Sequence, residues 1–397
     1  MRLFLALMVF GSGSIYAENV LVLPFFNHSK SPNLAWIGES ISETVRDAIA
    51  AENVLTLDRE ARLEAYRRLS LRPGAELTHA SIIKVGQALD ASDAIYGYYE
   101  VIRTAPGTGG DDASKSSLRI TARILELRNM RQGPEFSELG ALEDLAALEV
   151  RLGWHALKSL VPKTTISEQD FLKERPPVRL DAVESYMRGL LATSPDQRRS
   201  FFAQAARLDD HYSQPCFQLG KTYWEKKDYK AAAGWLERVA RSDPHYLEAQ
   251  FLLGLCRYNS GDFPGAEQAF QLVAASVPLN EVFNDLGAAQ ARGNRLAEAA
   301  ASFRKALEGD NTDPDYQFNL GYTQWRLGKF SDAVESFRAT VARNPNDQEA
   351  TSLLGRALRQ EGPRPGDPRA SGRERLKTNY EETAYRQLQA ELATQTK

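Results

Sequence analysis

The stretch LGAAQARGNRLAEAAASF, from Leu286 to Phe303, recurs in outline along the whole second half of the chain. A Leu-Gly pair stands at Leu219-Gly220, Leu253-Gly254, Leu286-Gly287, Leu320-Gly321 and Leu354-Gly355, and the glycines are spaced 34, 33, 34 and 34 residues apart. Twelve residues after each of the first four glycines comes Ala232, Ala266, Ala299 or Ala333, and four further on Leu236, Phe270, Phe303 or Phe337. Glycine on one helix and alanine on the next let two backbones approach, while the large apolar side chains fill the groove beside them. Each unit is therefore expected to be a helical hairpin. Helices of roughly 12 residues are marginal alone in water, so each hairpin must bury its apolar face on its neighbour, which predicts a stacked solenoid.

The pattern resembles the tetratricopeptide repeat at several positions per unit over about 180 residues. Pro244, Pro278 and Pro345 close three units, whereas the third regular unit lacks its proline; Val239, Val273 and Thr340 replace a usual small residue. Asp181 to His211 reads as a degenerate first repeat, with Asp181 and Glu184 at capping-box spacing, giving about five repeats across 180–361. The resemblance implies that the first helix of each hairpin lines a concave face that holds another protein or peptide. By register, the residues implied there are Phe217, Lys221 and Trp224; Phe251, Leu255 and Tyr258; Asn284 and Arg292; and Phe318, Tyr322, Trp325 and Arg326. Two aromatic patches flanking a polar middle match the composition of binding hot spots. Aromatic rings at these positions also serve packing in the repeat itself. After residue 361 a Pro/Gly-rich linker, 362–373, precedes 374–397, where Leu376, Tyr380, Ala384, Leu388 and Leu392 recur every four residues. That spacing predicts an amphipathic helix that caps the solenoid or docks on a partner.

Residues 18–162 follow another pattern. Val20 to Pro24 reads as a strand, Leu34 to Ala51 as an amphipathic helix and Val54 to Leu57 as a second strand. Helices are expected over Arg59 to Leu69 and His79 to Leu89. Paired strands are expected over Ala94 to Arg103 and Leu118 to Leu127, with Phe136 on a third, and a helix over Leu142 to Leu160 closes the domain. The order predicts a layered α/β sandwich, joined to the all-α superhelical solenoid by a linker at 163–179. A Leu-Pro-Phe-x-Asn-x-Ser loop follows the first strand, Trp36-Ile37-Gly38 starts a helix, and Ala91-Ser92-Asp93-Ala94 leads into a later strand. This set resembles the amino-terminal domain of TolB and the related FlgO- and CsgG-like envelope domains. The resemblance implies assembly or interaction work in the cell envelope and no catalysis. Within the loop, Pro24 removes a ladder donor, and Asn27 and Ser29 can bond nearby backbone, so the loop reads as a folding device.

Arg2, the apolar run Leu3 to Phe10 and the small residue Ala17 read as a secretory signal peptide, 1–17, with cleavage expected after Ala17 and a periplasmic or secreted destination. The run is too short to span a bilayer, and no cysteine near the cleavage site supports a lipid anchor. A net charge of −3 with 25% charged residues leaves no basic footprint for nucleic acid. Cys216 and Cys256 read as buried apolar residues, although one disulfide between them stays open. Gly107, Gly109 and Gly110 lack the Gly-Lys-Ser/Thr ending of a phosphate loop and read as a hairpin tip. The five histidines lack zinc-ligand spacing, so neither metal nor cofactor is expected, and no catalytic motif stands out.

These readings converge on a non-enzymatic envelope adaptor that grips a partner protein. A rival reading is a small-ligand sensor or hydrolase in the α/β domain, whose sign would be a deep pocket around Asn27, His28 and Trp36. A third is a homo-oligomer stacking through the terminal helix.

Overall fold

A computed structural model describes residues 19–29, 31–103, 116–364, 366–367 and 371–380, together with Tyr385 and Leu388. The expected signal peptide and the glycine-rich hairpin tip lie outside them. The chain forms two compact units, the first ending at Arg175 and the second beginning at Pro176, with Glu143–Ala147 clustering with the second. No described helix is long and apolar enough to cross a membrane.

The first unit is built on a five-stranded sheet. Strands β1 (Val20–Val22) and β2 (Phe26–Asn27) both run parallel to β3 (Asp93–Arg103), and Pro24 separates them. β3 then pairs antiparallel with β4 (Ser116–Glu126), and β4 with β5 (Arg131–Ala141), where Phe136 faces Ala122 across the ladder. Helices α1 (Trp36–Ala50), α2 (Arg59–Arg68), α3 (His79–Ala88) and α4 (Leu145–Leu160) cover the sheet. Leu21, Leu23, Ala65, Tyr66, Ile82, Val85, Leu125 and Leu127 form one apolar core. The fully buried Ile37, Ile41, Val45 and Ile49 line the inner stripe of α1. The Arg62 guanidinium, 2% exposed, donates to Glu39 at 2.5 Å and Ser42 at 2.7 Å, tying α2 to α1 through a paired buried charge.

Two expectations for this half need correction. Val54 to Leu57 is not a strand: only Thr56 bridges Val20, because the segment turns at once into α2. Residues 163–175 are not a linker either. They carry a short helix, α5 (Glu168–Lys173), whose Phe171 is fully buried, and Arg175 bonds the Ala48 carbonyl at 3.2 Å and Glu52 at 2.7 Å.

Among the described residues, the second unit is a run of five antiparallel helical hairpins. They are α6 (Leu180–Leu191) with α7 (Pro195–Leu208), α8 (Gln214–Glu225) with α9 (Tyr229–Leu236), and α10 (Tyr246–Asn259) with α11 (Phe263–Ser276); α12 (Asn280–Arg292) with α13 (Leu296–Gly309) and α14 (Pro314–Arg326) with α15 (Phe330–Arg343) follow. A further helix, α16 (Gln348–Leu358), packs on α15. A Cβ on Gly220 would lie 2.5 Å from Leu236, on Gly254 2.6 Å from Phe270 and on Gly287 2.8 Å from Phe303, so the glycine spacing is the spacing of helix crossings. Ala232, Ala266, Ala299 and Ala333 are fully buried at the same crossings. Asp181 does not cap α6. It lies inside the first turn and pairs with Arg179, whose N–H donates to Asp209 at 3.1 Å.

The expected helix over 374–397 does not begin where its spacing placed it. Residues 373–380 are not helical, because their backbone groups are held by side chains of the array instead of by one another. Tyr385 and Leu388 are helical, and the rest of that stretch lies outside the described residues.

Candidate functional site

The loop after β1 is held by its own hydrogen bonds. Asn27 accepts from the Ser29 N–H at 2.8 Å and donates to the Ser31 carbonyl at 3.2 Å, and the Ser29 hydroxyl accepts from Val101 N–H at 2.7 Å. His28 stacks on Tyr98, and Trp36 is buried. None of Asn27, His28 and Trp36 lines the cavity nearby. That cavity, of about 420 Å³, is walled by Phe26, Tyr66, Tyr96 and Tyr98 with His79, Arg123 and Glu135. His79 Nε2 lies 3.0 Å from the Tyr96 hydroxyl, which also accepts from Gln132 at 2.6 Å.

The richer arrangement lies along the first helices of the array. In α8, Phe217 is buried and stacked on His245, Lys221 reaches Glu248 at 3.5 Å, and the half-buried Trp224 leans on Tyr229. Those three stand apart from the other nine. In α10, Phe251 meets the Tyr380 ring edge-on at 5.3 Å, Leu255 is buried, and the Tyr258 hydroxyl is 3.5 Å from Glu374. In α12, Asn284 is fully buried and Arg292 lies over the Phe263 ring. In α14, Phe318, Tyr322 and Trp325 are fully buried; Trp325 Nε1 donates to the Glu361 carbonyl at 2.7 Å, and Arg326 donates to Glu374 at 3.2 Å and to the Ala291 carbonyl at 3.0 Å.

The expectation of a concave face free to hold another protein is thus corrected. The inner curve is occupied by the chain's own segment 373–380, which runs without helical turns from α16 back toward α10. Gly372, at φ +79°, turns the chain into it beside Arg292.

What holds the segment is chiefly polar. Asn319 accepts from the Arg375 N–H at 2.8 Å, and the amides of Asn284 and Asn319 both donate to the Arg375 carbonyl at 2.8 Å. This clamp grips backbone and not a particular side chain. The Arg375 guanidinium then makes a two-pronged contact with Asp347 at 2.6 and 3.0 Å, reaches Asp315 at 3.3 Å and lies 3.6 Å above the Phe318 ring. Planar bidentate pairing and stacking together select arginine over lysine. Lys377 donates its N–H to Asp285 at 2.8 Å and its ammonium to Asp313 and Asp315, both at 2.8 Å.

The electrostatics follow from this enclosure. Burial pushes the Asp285 carboxyl well above the usual carboxylate range, against the opposing bonds from Lys377 and Asn284. Burial also raises Glu374, with Arg326 opposing it. Burial alone would raise Asp347 too, but the Arg375 bonds and the Ala350 N–H at the start of α16 hold it below its ordinary value.

Five residues central to the site were not reached by register transfer: Asp285, Asp313, Asp315, Asn319 and Asp347. Asp285 and Asn319 sit one position past Asn284 and Phe318, and the other three belong to helix starts, Asp313 and Asp347 as the caps of α14 and α16 and Asp315 as the second residue of α14. The available signal was a set of buried polar residues, Asn284-Asp285 and Asn319, beside the Leu-Gly pairs.

A family model of the tetratricopeptide repeat matches residues 217–281 and 318–363. Within the second unit, the hairpins over these two stretches match the tetratricopeptide repeat. Solved structures similar to parts of this chain include YrrB, described as a TPR protein with an unusual peptide-binding site; it is 21% identical, with 44% of this chain and 92% of that chain covered and a TM-score of 0.42. A MamA protein is 19% identical over 38% of this chain and 82% of its own, at a TM-score of 0.36. PilF of Pseudomonas aeruginosa is 15% identical over 45% and 83%, at 0.37. No curated protein matches the chain.

Proposed function

We propose that the chain is a non-catalytic adaptor of the bacterial cell envelope, exported by its leader, whose tetratricopeptide array grips an extended segment of a partner protein. The observation that carries this reading is the pair Asn284 and Asn319, which bonds both the N–H and the carbonyl of one residue of a non-helical segment. A side-chain clamp on backbone accepts any extended polypeptide, and the flanking Asp313, Asp315 and Asp347 add selection for basic residues. The envelope assignment is supported by the leader-like Met1 to Ala17 and by the TolB-, FlgO- and CsgG-like loop residues of the first unit. The register positions from Phe251 to Arg326, extended by the five residues above, form the proposed contact surface, and Phe217, Lys221 and Trp224 stand outside it.

Cross-linking mass spectrometry in the native cell, comparing wild type with Asn284→Ala/Asn319→Ala, tests the reading. The expected result is a set of envelope proteins cross-linked near α12 and α14 that the variant loses. Identical cross-links in both, or partners confined to the cytosol, would overturn it.

The small-ligand reading loses the pocket expected around Asn27, His28 and Trp36, but a neighbouring cavity of the first unit, where aromatic walls meet His79, Tyr96, Gln132 and Arg123, keeps it as a second reading. Native mass spectrometry of protein purified from its own cells should then show a retained small molecule that Tyr96→Phe/Arg123→Ala no longer carries. Protein of apo mass in both forms would remove this reading.

A further inference from the structure

Arg375 and Lys377 give their backbone groups to side chains of the array and not to one another, and these contacts are those of a bound peptide. We propose that residues 373–380 hold the place of the partner: the array accepts a trans segment with an acidic residue, an arginine, any residue and a lysine in succession, and does so only when this tail is displaced. The proposal deepens the adaptor reading and rests on it.

The pattern follows from the receiving groups. Glu374 is met by Arg326 and Tyr258, Arg375 by Asp347, Asp315 and Phe318, and Lys377 by Asp313 and Asp315. Between them, Leu376 carries an apolar side chain that no polar pairing selects. Permanent self-coverage would be expected to use apolar side chains, as at the helix crossings, because charged pairs gain little once their desolvation is counted. Polar, charge-paired contact is the character of associations that exchange. The tail is also joined through Gly362, Pro363, Pro365, Gly366, Pro368 and Gly372, a stretch without helical segments among its described residues. A tether of such length keeps the tail at an effective concentration on the order of mM, so a partner at lower concentration binds only if its own affinity is higher.

A fluorescent peptide of residues 371–380, SGRERLKTNY, is the probe. Its anisotropy is followed with the full chain and with the full chain carrying Arg375→Ala/Lys377→Ala, whose groove is intact. Binding to the variant is expected to be at least about tenfold tighter than to wild type, since the variant's own tail competes poorly. Adding Asn319→Ala/Asp347→Ala to that variant should abolish the gain. Equal affinity for wild type and variant, or no binding to a variant that melts cooperatively, would overturn the proposal. Should the double variant fail to fold, a sequence-specific protease site set within 362–372 and cut after folding gives the same answer. The freed carboxyl-terminal fragment is expected to separate on size exclusion and the probe to take its place; a fragment that stays until the helices unfold contradicts it. Failure here with groove cross-links retained in the cell would remove the self-occupied site and leave the adaptor reading standing.

Discussion

Gly254 and Gly355 occupy the same register position in their helices, yet their surroundings differ. A Cβ on Gly254 would meet the Phe270 ring at 2.6 Å, whereas one on Gly355 would meet only the tip of Arg359 at 3.5 Å, because no partner helix packs on that side of α16 among the described residues. Gly254→Ala is expected to destabilise the array by about 1–3 kcal/mol through overpacking. Gly355→Ala is expected to be neutral or to stabilise by up to about 1 kcal/mol from helix propensity. Thermal melts of the two variants check both signs. A second residue carries a pH signature. Glu149 of α4 is fully buried, accepts from Thr44 at 2.9 Å, and is pushed up to about 8 by burial. The unfolded carboxyl releases its proton at about pH 4.3 and the folded one at about 8, so the folded state binds the extra proton and stability falls as pH rises across that window. Glu149→Gln should flatten the fall, and calorimetric melts at about pH 5 and about pH 8 would show it. A parallel pH slope in the variant would count against this origin.

At the scale of elements, α5 shows why composition can mislead. Lys173-Glu174-Arg175-Pro176-Pro177 reads as a linker, and the charges and prolines are real, but Phe171 is fully buried with the Arg175 guanidinium 3.8 Å from its ring. Phe171→Ala is accordingly expected to cost about 3–5 kcal/mol in the first unit, measured by urea unfolding, where a true linker would show nearly none. The repeat helices, in contrast, were legible in detail. Their spacing is imposed by close helix crossings, and a glycine or alanine there leaves a trace in the sequence. The tail was not legible. Leu376 and Tyr380 sit at helical spacing with the residues after them, but Asn284, Asp285 and Asn319, which lie 91, 92 and 56 positions from their bonding partners, take the backbone groups that a helix would use. Local periodicity cannot register a competitor that distant.

The whole molecule carries an α/β unit and an array of helical hairpins whose inner curve is filled by the chain itself. Eight of the twelve groove residues transferred by register meet Glu361 or the described segment 372–380, and the aromatic rings among them are covered instead of exposed. Register could place those side chains on the inner helices, but it carried no information about what lies over them. Because the contact is built on charge pairs, it should weaken with salt while the apolar helix crossings do not. Hydrogen exchange on the full chain resolves the two most directly. The Arg375 and Lys377 amides, bonded to Asn319 and Asp285, should be protected at low salt, should exchange well before the amides of α12 and α14, and should lose protection as salt rises. If those two amides exchange only together with the helices at every salt concentration, the tail is a fixed part of the fold and the groove is not a site for anything else.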